Sequence, residues 1–309
     1  MTVKENARQR RGWRYWRNLG MFALAAGCIG VLFLIYVGHP YYLSRGWAHP
    51  QRLAVCCVTP ADYGWAYKDA SFTTSDGLTL RGWYVPSTNG AAVILAHPLA
   101  SNRVGVLKVG AMLARHGYGV LMFDLRAHGE SEGEVLPFGG NEAQDIVAAV
   151  TYLQTRGDVD VNRVGAMGLS LGAQVSILAA ARSEAIKAVV ADAPCCTTFE
   201  DLPRPQSRGE WLYFPYDLVF FRMLRWHTGV SRPMLVQEAI AKIAPRPLLL
   251  IGGGSEQRIL EHHYGAAKEP KMLWVIPEAG HISGPSARPE EYEERIVRFF
   301  DQALLGKSQ

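Results

Sequence analysis

A G-x-S-x-G pattern occurs at Gly168-Leu169-Ser170-Leu171-Gly172. It follows an apolar run that predicts a strand and opens a segment that predicts a helix, which is the local context this pattern requires. A sharp turn between strand and helix lifts the serine hydroxyl above a sheet, and the flanking glycines let the two elements approach closely. The pattern therefore predicts Ser170 as a nucleophile that attacks an acyl carbon.

A serine hydroxyl is a poor nucleophile unless a base takes its proton, and the base needs an acid that orients it. His281 lies just past the last predicted strand, where a loop histidine can reach the serine. Glu256 follows the preceding predicted strand, and the chain order Ser170, Glu256, His281 is the order expected around such a turn. Asp192, directly after an earlier predicted strand, is the rival acid.

Short apolar runs alternate with helical patterns in the body of the chain. The predicted strands are 68–74, 78–85, 91–96, 119–123, 164–167, 185–191, 247–251 and 272–276. The predicted helices are 106–116, 142–154, 171–181 and 290–305. Apolar strands that alternate with helices indicate an α/β fold with a mostly parallel sheet and helices on both faces.

One segment, at about 195–245, interrupts the alternation and is too long for a simple crossover. It holds seven aromatic residues between Trp211 and Trp226, and its charged residues argue against a membrane span. We therefore predict an inserted cap. Its aromatic side chains pack the cap onto the body, line a pocket for an apolar substrate, or do both.

The positive charge of the chain lies at one end. The 309 residues carry a formal net charge of +4, but residues 1–18 alone hold six basic side chains and one acidic side chain. The remainder is therefore close to neutral, which removes the electrostatic argument for nucleic-acid binding. The next segment, Leu19 to Gly38, has no charged residue and as a helix would span about 30 Å, the thickness of a bilayer's hydrocarbon core.

Aromatic residues flank this apolar segment on both sides, as they do at membrane interfaces. The segment is longer than the apolar region of a typical signal peptide, so a retained anchor is favoured over a cleaved signal or a buried core helix. The positive-inside rule places the basic end in the cytoplasm and the body outside it. The predicted organisation is a stub at 1–18, a transmembrane helix at 19–38, a linker at 39–65 and a catalytic domain at 66–309.

Further motifs occur along the body: Asp76-Gly77-Leu78, Gly82-Trp83-Tyr84-Val85-Pro86, His97, Asp124-Leu125-Arg126-Ala127-His128-Gly129-Glu130-Ser131 and Gly280-His281. With the serine turn, they make the chain from about Thr59 to Leu305 resemble an alpha/beta-hydrolase with a short cap. It is similar to the bacterial membrane-tethered members related to serine aminopeptidases, esterases and lipases. The resemblance implies that Ser170 is the nucleophile, His281 the base and Glu256 the acid.

Two positions depart from the pattern of that superfamily. It usually has Asp where this chain has Glu256, and the extra methylene changes the reach of the carboxylate. It usually has His-Gly where this chain has His97-Pro98-Leu99, and proline has no N–H to donate to an oxyanion. The backbone N–H groups of Leu99 and Leu171 are therefore the candidate oxyanion hole.

These observations predict a membrane-anchored serine hydrolase that cleaves an acyl ester, with a small or lipid-like substrate, through an acyl-enzyme. A serine peptidase, an amidase or a thioesterase on the same triad is the alternative. A catalytically silent, membrane-tethered binding module is the alternative from another class. We expect no cofactor, no metal and no nucleic-acid partner.

Overall fold

The structure is a computed structural model that describes residues 3–307, with side chains from residue 13 onward. Met1 and Thr2 of the predicted stub and the last two residues lie outside the described residues. The chain separates into two compact units. The smaller unit contains the N-terminal residues up to Arg45 and Pro205–Leu224, and the larger unit contains Gly46–Arg204 and the residues from Arg225 onward.

A long helical segment forms most of the smaller unit. Helix α1 is Val3–Phe33, a π-helical turn follows at Leu34–Gly38, and helix α2 is His39–Ala48. Within the described part of the chain, Trp13–Ala48 is the one helical segment long and apolar enough to cross a membrane. The predicted transmembrane segment therefore lies inside a longer continuous helical stretch.

The predicted linker at 39–65 begins as a helix, because a π-helical turn carries the chain past a proline. The N–H of His39 donates to the carbonyl of Leu34, one residue further back than in an α-helix. Pro40, which has no N–H to donate, follows directly in α2. The predicted linker therefore begins as a continuation of the helix.

The larger unit is built on an eight-stranded sheet with the strand order β1-β2-β4-β3-β5-β6-β7-β8. The strands are β1 (Lys68–Thr73), β2 (Thr79–Val85), β3 (Ala92–Ala96), β4 (Gly119–Phe123), β5 (Val164–Leu169), β6 (Ile186–Asp192), β7 (Leu248–Gly253) and β8 (Lys271–Ile276). Strand β2 is antiparallel to both β1 and β4, and the strands from β4 to β8 are parallel. The predicted α/β fold with a mostly parallel sheet is confirmed.

Helices follow most of the parallel strands. They are α3 (Leu107–Arg115), α4 (Ala143–Gln154), α5 (Leu171–Ala180), α6 (Arg208–Thr228), α7 (Val236–Ile240), α8 (Gln257–Ala266), α9 (Gly284–Ala287) and α10 (Pro289–Leu305). Helices α3 and α10 share one apolar cluster with alternate residues of the strands. Helix α5 contacts β3, β5 and β6, and it is itself buried along its whole length. Every element predicted in the body is present, with ends within two residues of the prediction.

The strand order explains how distant residues meet. Strands β5, β6, β7 and β8 are consecutive neighbours and parallel, so their carboxyl ends lie at one edge of the sheet. Ser170 follows β5, Asp192 ends β6, Glu256 follows β7, and His281 follows β8. The fold therefore gathers all four candidate residues at the same edge.

Candidate active site

Ser170 occupies the tight turn between β5 and α5. Its backbone has φ 53° and ψ −113°, a conformation that non-glycine residues rarely adopt, and its N–H donates to the carbonyl of Asp192 at 2.8 Å. The turn needs glycine at 172, because a Cβ there would lie 2.1 Å from the carbonyl oxygen of Ala96. A strained residue held by buried neighbours at a strand end is a feature of functional sites.

His281 lies between Ser170 and Glu256. Its Nε2 is 2.8 Å from the hydroxyl of Ser170, and its Nδ1 is hydrogen-bonded to Oε1 of Glu256. The three residues come from three separate loops, and they form one continuous hydrogen-bond chain. This is the geometry in which an imidazole can take a proton from a serine while a carboxylate fixes its tautomer.

Glu256 sits in the 3-10 turn Gly254–Glu256 directly after β7, and its other oxygen accepts the N–H of Gly253 at 2.9 Å. The loop that carries His281 passes close to this turn. A Cβ on Gly253 would lie 2.3 Å from the carbonyl oxygen of Ala279. The glycine run after β7 therefore lets the two loops approach, and the longer side chain of glutamate covers the remaining distance to the imidazole.

The contact between His281 and Glu256 shifts the pKa values of both groups. Burial by itself would raise the pKa of Glu256, but the hydrogen bonds from His281 and from Gly253 N–H outweigh it and lower that pKa. The hydrogen bond to Glu256 raises the pKa of His281 against the opposing effect of burial. The carboxylate is therefore ionised at neutral pH and favours the protonated imidazolium that a proton transfer from Ser170 would create.

The rival acid Asp192 is directed elsewhere. Its carboxylate is buried and accepts a 2.8 Å hydrogen bond from the hydroxyl of Tyr292 on α10. Burial raises the pKa of Asp192 to about 6, and the bond from Tyr292 offsets only part of that rise. Of the two candidate acids, the structure brings Glu256 rather than Asp192 to His281.

Leu99 and Leu171, the two residues predicted to form the oxyanion hole, lie in the loop after β3 and at the first position of α5. Neither backbone N–H has a hydrogen bond to any residue that the structure describes. Leu171 directly follows the nucleophile, at the positive end of the helix dipole. Both groups are thus unpaired donors, as an oxyanion site requires.

His97 organises the loop that carries Leu99. It is fully buried, its Nδ1 bonds the carbonyl of Pro98 at 2.8 Å, and its Nε2 accepts the N–H of Leu125 at 3.0 Å. Burial lowers the pKa of His97 to about 4, so the ring is neutral at pH 7. The ring of His128 packs edge-on against it with the centroids 4.9 Å apart. The two histidines support the loop and are not placed to act as bases.

Two groups of supporting residues were not anticipated from the sequence. Tyr292 is fully buried and holds Asp192, but on sequence alone it is one of several large residues on the inner face of a helix. Arg126 bridges the buried Asp145 and the partly exposed Asp76, which anchors the loop after β4. The Asp-Leu-Arg motif drew attention to this loop, but the two carboxylates that Arg126 binds are distant from it in sequence.

Among the described residues, no group of three His, Cys, Asp or Glu side chains is arranged to hold a metal ion.

Comparisons with known proteins agree with the fold. Residues 34–206 match the family model described as X-Pro dipeptidyl-peptidase (S15 family). A protein of Mycobacterium tuberculosis named Rv2307c is 34% identical over 253 residues, which cover 78% of this chain and 82% of the relative. The Escherichia coli K12 protein YfhR is 29% identical over 253 residues, with the same coverage.

Among solved structures, the esterase Pf2001 of Pyrococcus furiosus superposes with a TM-score of 0.67 and 29% identity. The match covers 84% of this chain and 98% of the esterase. The expected alpha/beta-hydrolase superfamily is confirmed, since sequence and structure match hydrolases over most of the body. The chain therefore belongs to the X-Pro dipeptidyl-peptidase (S15) family and is a hydrolase of the alpha/beta-hydrolase superfamily.

Proposed function

We propose that this hydrolase is a membrane-anchored serine esterase. The observation that carries the proposal is the hydrogen-bond chain from Ser170 through His281 to Glu256. The nucleophile stands on a strained turn, the base is within hydrogen-bonding distance of it, and an ionised carboxylate orients the base. These are the three conditions under which a serine hydroxyl becomes an effective nucleophile.

The reaction follows from the arrangement. The Ser170 hydroxyl attacks the acyl carbonyl while Nε2 of His281 takes its proton, and Glu256 stabilises the imidazolium that forms. The N–H groups of Leu99 and Leu171 donate hydrogen bonds to the carbonyl oxygen and stabilise the negative charge that develops on it. His281 then returns the proton to the departing alcohol, which leaves an acyl-enzyme. A water molecule, deprotonated by the same imidazole, releases the acid and restores Ser170.

An ester is favoured over an amide because the match to the Pyrococcus esterase covers most of both chains. Peptide cleavage is the second candidate, and the description of the matching family supports it. That family match includes Ser170 but ends before Glu256 and His281, so it does not bear on the complete triad. Thioester cleavage would use the same three residues.

Activity-based labelling tests whether Ser170 is a reactive nucleophile. We expect a fluorophosphonate probe to label the full-length protein in detergent micelles and to leave Ser170→Ala unlabelled. Equal labelling of the variant, or no labelling of the wild type, would support the catalytically silent binding module. Ser170 is half-buried and the variant removes a single oxygen, so equal melting temperatures of the variant and the wild type are the control for folding.

A substrate panel then shows which type of bond the enzyme cleaves: ester, thioester or amide. Nitrophenyl esters of increasing acyl length, an acyl thioester and an X-Pro nitroanilide are compared by kcat/KM. We expect hydrolysis of esters to exceed that of the nitroanilide and to rise with chain length, because the anchor and the aromatic cap segment suit a lipid-like acyl group. Faster cleavage of the nitroanilide would move the assignment to a peptidase, and no rise with chain length would exclude the lipid-like substrate.

The anchoring itself is part of the proposal. The apolar helix Trp13–Ala48 supports a retained span with the basic residues in the cytoplasm and the hydrolase body outside it. We expect the protein to stay in membranes during alkaline carbonate extraction and to keep its N-terminal residues by intact mass. A mass that lacks the apolar segment would identify it as a signal sequence. Protease protection of the body in sealed spheroplasts would reverse the topology.

A further inference from the structure

Three consecutive large side chains are exposed at the start of α6: Trp211, Leu212 and Tyr213, which are 58%, 64% and 66% exposed. We call them the α6 patch. Beyond α2, the other exposed large apolar side chains of the described chain are isolated in sequence: Leu53, Tyr63, Val161, Trp226 and Met272. A contiguous apolar patch on a helix marks an interaction surface, whereas single exposed residues need no explanation.

The α6 patch belongs to the same compact unit as the apolar N-terminal helix. Two hydrogen bonds join the elements across more than 170 residues of sequence. The hydroxyl of Tyr36 donates to the carbonyl of Leu212 at 3.1 Å, and Nδ1 of His39 and the hydroxyl of Tyr216 share a hydrogen bond of 2.7 Å. The rings of His39 and Tyr216 also lie 5.7 Å apart. The start of α6 is therefore held against one defined level of the N-terminal helix.

That level is the end of the apolar segment. Tyr36 is among the last residues of the uncharged segment that ends at Gly38, and His39 is the first polar residue after it. The pairs Tyr36–Leu212 and His39–Tyr216 advance in the same chain direction, so the earlier part of α6 lies on the apolar side of this contact. If the segment spans a bilayer, the α6 patch stands at the height where the hydrocarbon core gives way to headgroups.

The composition of the patch fits that height. Tryptophan and tyrosine prefer the membrane interface, because their rings are apolar while the indole N–H and the phenol hydroxyl remain hydrated. Tyr41 and Tyr42, which follow the span in α2, are exposed in the same unit. From Trp211 to Tyr216 no residue is charged. The patch therefore extends an aromatic belt that the span already has.

We infer that the α6 patch is a second membrane contact, in which Trp211, Leu212 and Tyr213 insert into the headgroup and upper acyl region of the leaflet where the span ends. The occupant is the lipid bilayer rather than a second copy of the chain, because the contacts of Tyr36 and His39 continue the surface of the span itself. The inference rests on the proposed membrane anchoring. It adds that the cap segment, as well as the N-terminal helix, touches lipid.

Photo-crosslinking of the full-length protein tests it. Benzoylphenylalanine replaces one aromatic residue at a time: Trp211, Tyr213, Phe22 near the start of the apolar segment, or Tyr63 in the larger unit. Phe22 and Tyr63 are both exposed, at 79% and 40%, so they are matched aromatic controls. Each variant is reconstituted in vesicles of phosphatidylethanolamine and phosphatidylglycerol with an alkyne-tagged phosphatidylcholine, irradiated, and analysed on gels for lipid adducts. Fluorophosphonate labelling in the same samples selects folded protein.

We expect lipid adducts at Phe22, Trp211 and Tyr213 and only background at Tyr63. Adducts at Phe22 with only background at Trp211 and Tyr213 would overturn the inference and leave the anchor intact. Only background lipid adducts at Phe22 would overturn the proposed anchor and this inference with it. Fluorophosphonate labelling of Ser170 in the same sample would show that the proposed serine hydrolase activity is unaffected by that result. A crosslinked protein dimer at Trp211 or Tyr213 in place of the lipid adduct would assign the patch to a second copy and overturn the inference. Equal lipid adducts at Tyr63 would also overturn it.

Discussion

The hydroxyl of Tyr292 donates a 2.8 Å hydrogen bond to the carboxylate of Asp192, and both side chains are buried. The two residues are 100 positions apart, one at the end of β6 and the other on α10. This bond occupies the carboxylate that would otherwise compete for His281. Glu256, in the turn that follows the neighbouring strand β7, is the carboxylate that contacts the imidazole.

The two carboxylates should respond differently to isosteric replacement. Glu256→Gln should lower kcat/KM about 10³- to 10⁴-fold, because an amide cannot stabilise the imidazolium or hold the correct tautomer. Asp192→Asn keeps an acceptor for Tyr292 and should stay near the wild-type value. Ester turnover with purified variants measures both, and a larger loss for Asp192→Asn would transfer the role of the acid.

The pH dependence should report the coupling of His281 to Glu256. Protonated imidazole cannot accept the serine proton, so kcat/KM should rise with pH through the pKa of His281. That pKa is raised above the ordinary value of 6.5, chiefly by the bond to Glu256. In Glu256→Gln the midpoint of the residual activity should move to lower pH. A midpoint that stays in place would contradict the coupling, and Asp192→Asn should move it less.

Asp192 should make stability depend on pH. Its pKa is about 6 in the folded protein against 3.8 as the ordinary value, so the folded state holds the proton more tightly. Stability should then fall as pH rises between these values, by about 3 kcal/mol in total. Asp192→Asn should remove this part of the slope in melting temperatures measured in micelles. An unchanged slope in the variant would show that other groups cause it.

The oxyanion donors can be tested through the backbone. Leu99→Pro removes one N–H and should lower kcat about 10²- to 10³-fold with a smaller effect on KM, since the charge it stabilises develops only in the transition state. Leu99→Ala keeps the N–H and is the matched control. Melting temperatures of both variants show whether the loop after β3 is retained. Similar kcat values for the two variants would exclude this N–H from the oxyanion site.

The serine turn should not tolerate a methyl group at position 172. A Cβ there would lie 2.1 Å from the carbonyl oxygen of Ala96, so Gly172→Ala has to move backbone and should lower both the melting temperature and fluorophosphonate labelling. Gly265→Ala is the control, because nothing lies within 4 Å of its Cβ in α8. That exposed helical position should gain about 0.5–1 kcal/mol instead. Equal behaviour of the two variants would argue against a tight turn.

Much of the body was predictable because its signals are local. A buried strand such as β3 needs a short apolar run, and the helix of a serine turn needs only the residues around Ser170. The strands and helices that were predicted therefore appear within two residues of their predicted ends, whereas α7, α8 and α9 were not predicted. The start of the linker predicted at 39–65 was not predictable in the same way, because the preceding π-helical turn keeps the chain helical into α2.

The sequence by itself determined the residue types that chemistry needs, their order along the chain and the length of the apolar segment. It left the choice between Asp192 and Glu256 open, because both end or follow strands at the same edge of the sheet. Only the tertiary structure decided which of them contacts His281, since that depends on where α10 places Tyr292 and on how closely the loops after β7 and β8 approach. It also decided that α6 meets the end of the apolar helix, a contact between segments 176 residues apart that no local pattern encodes.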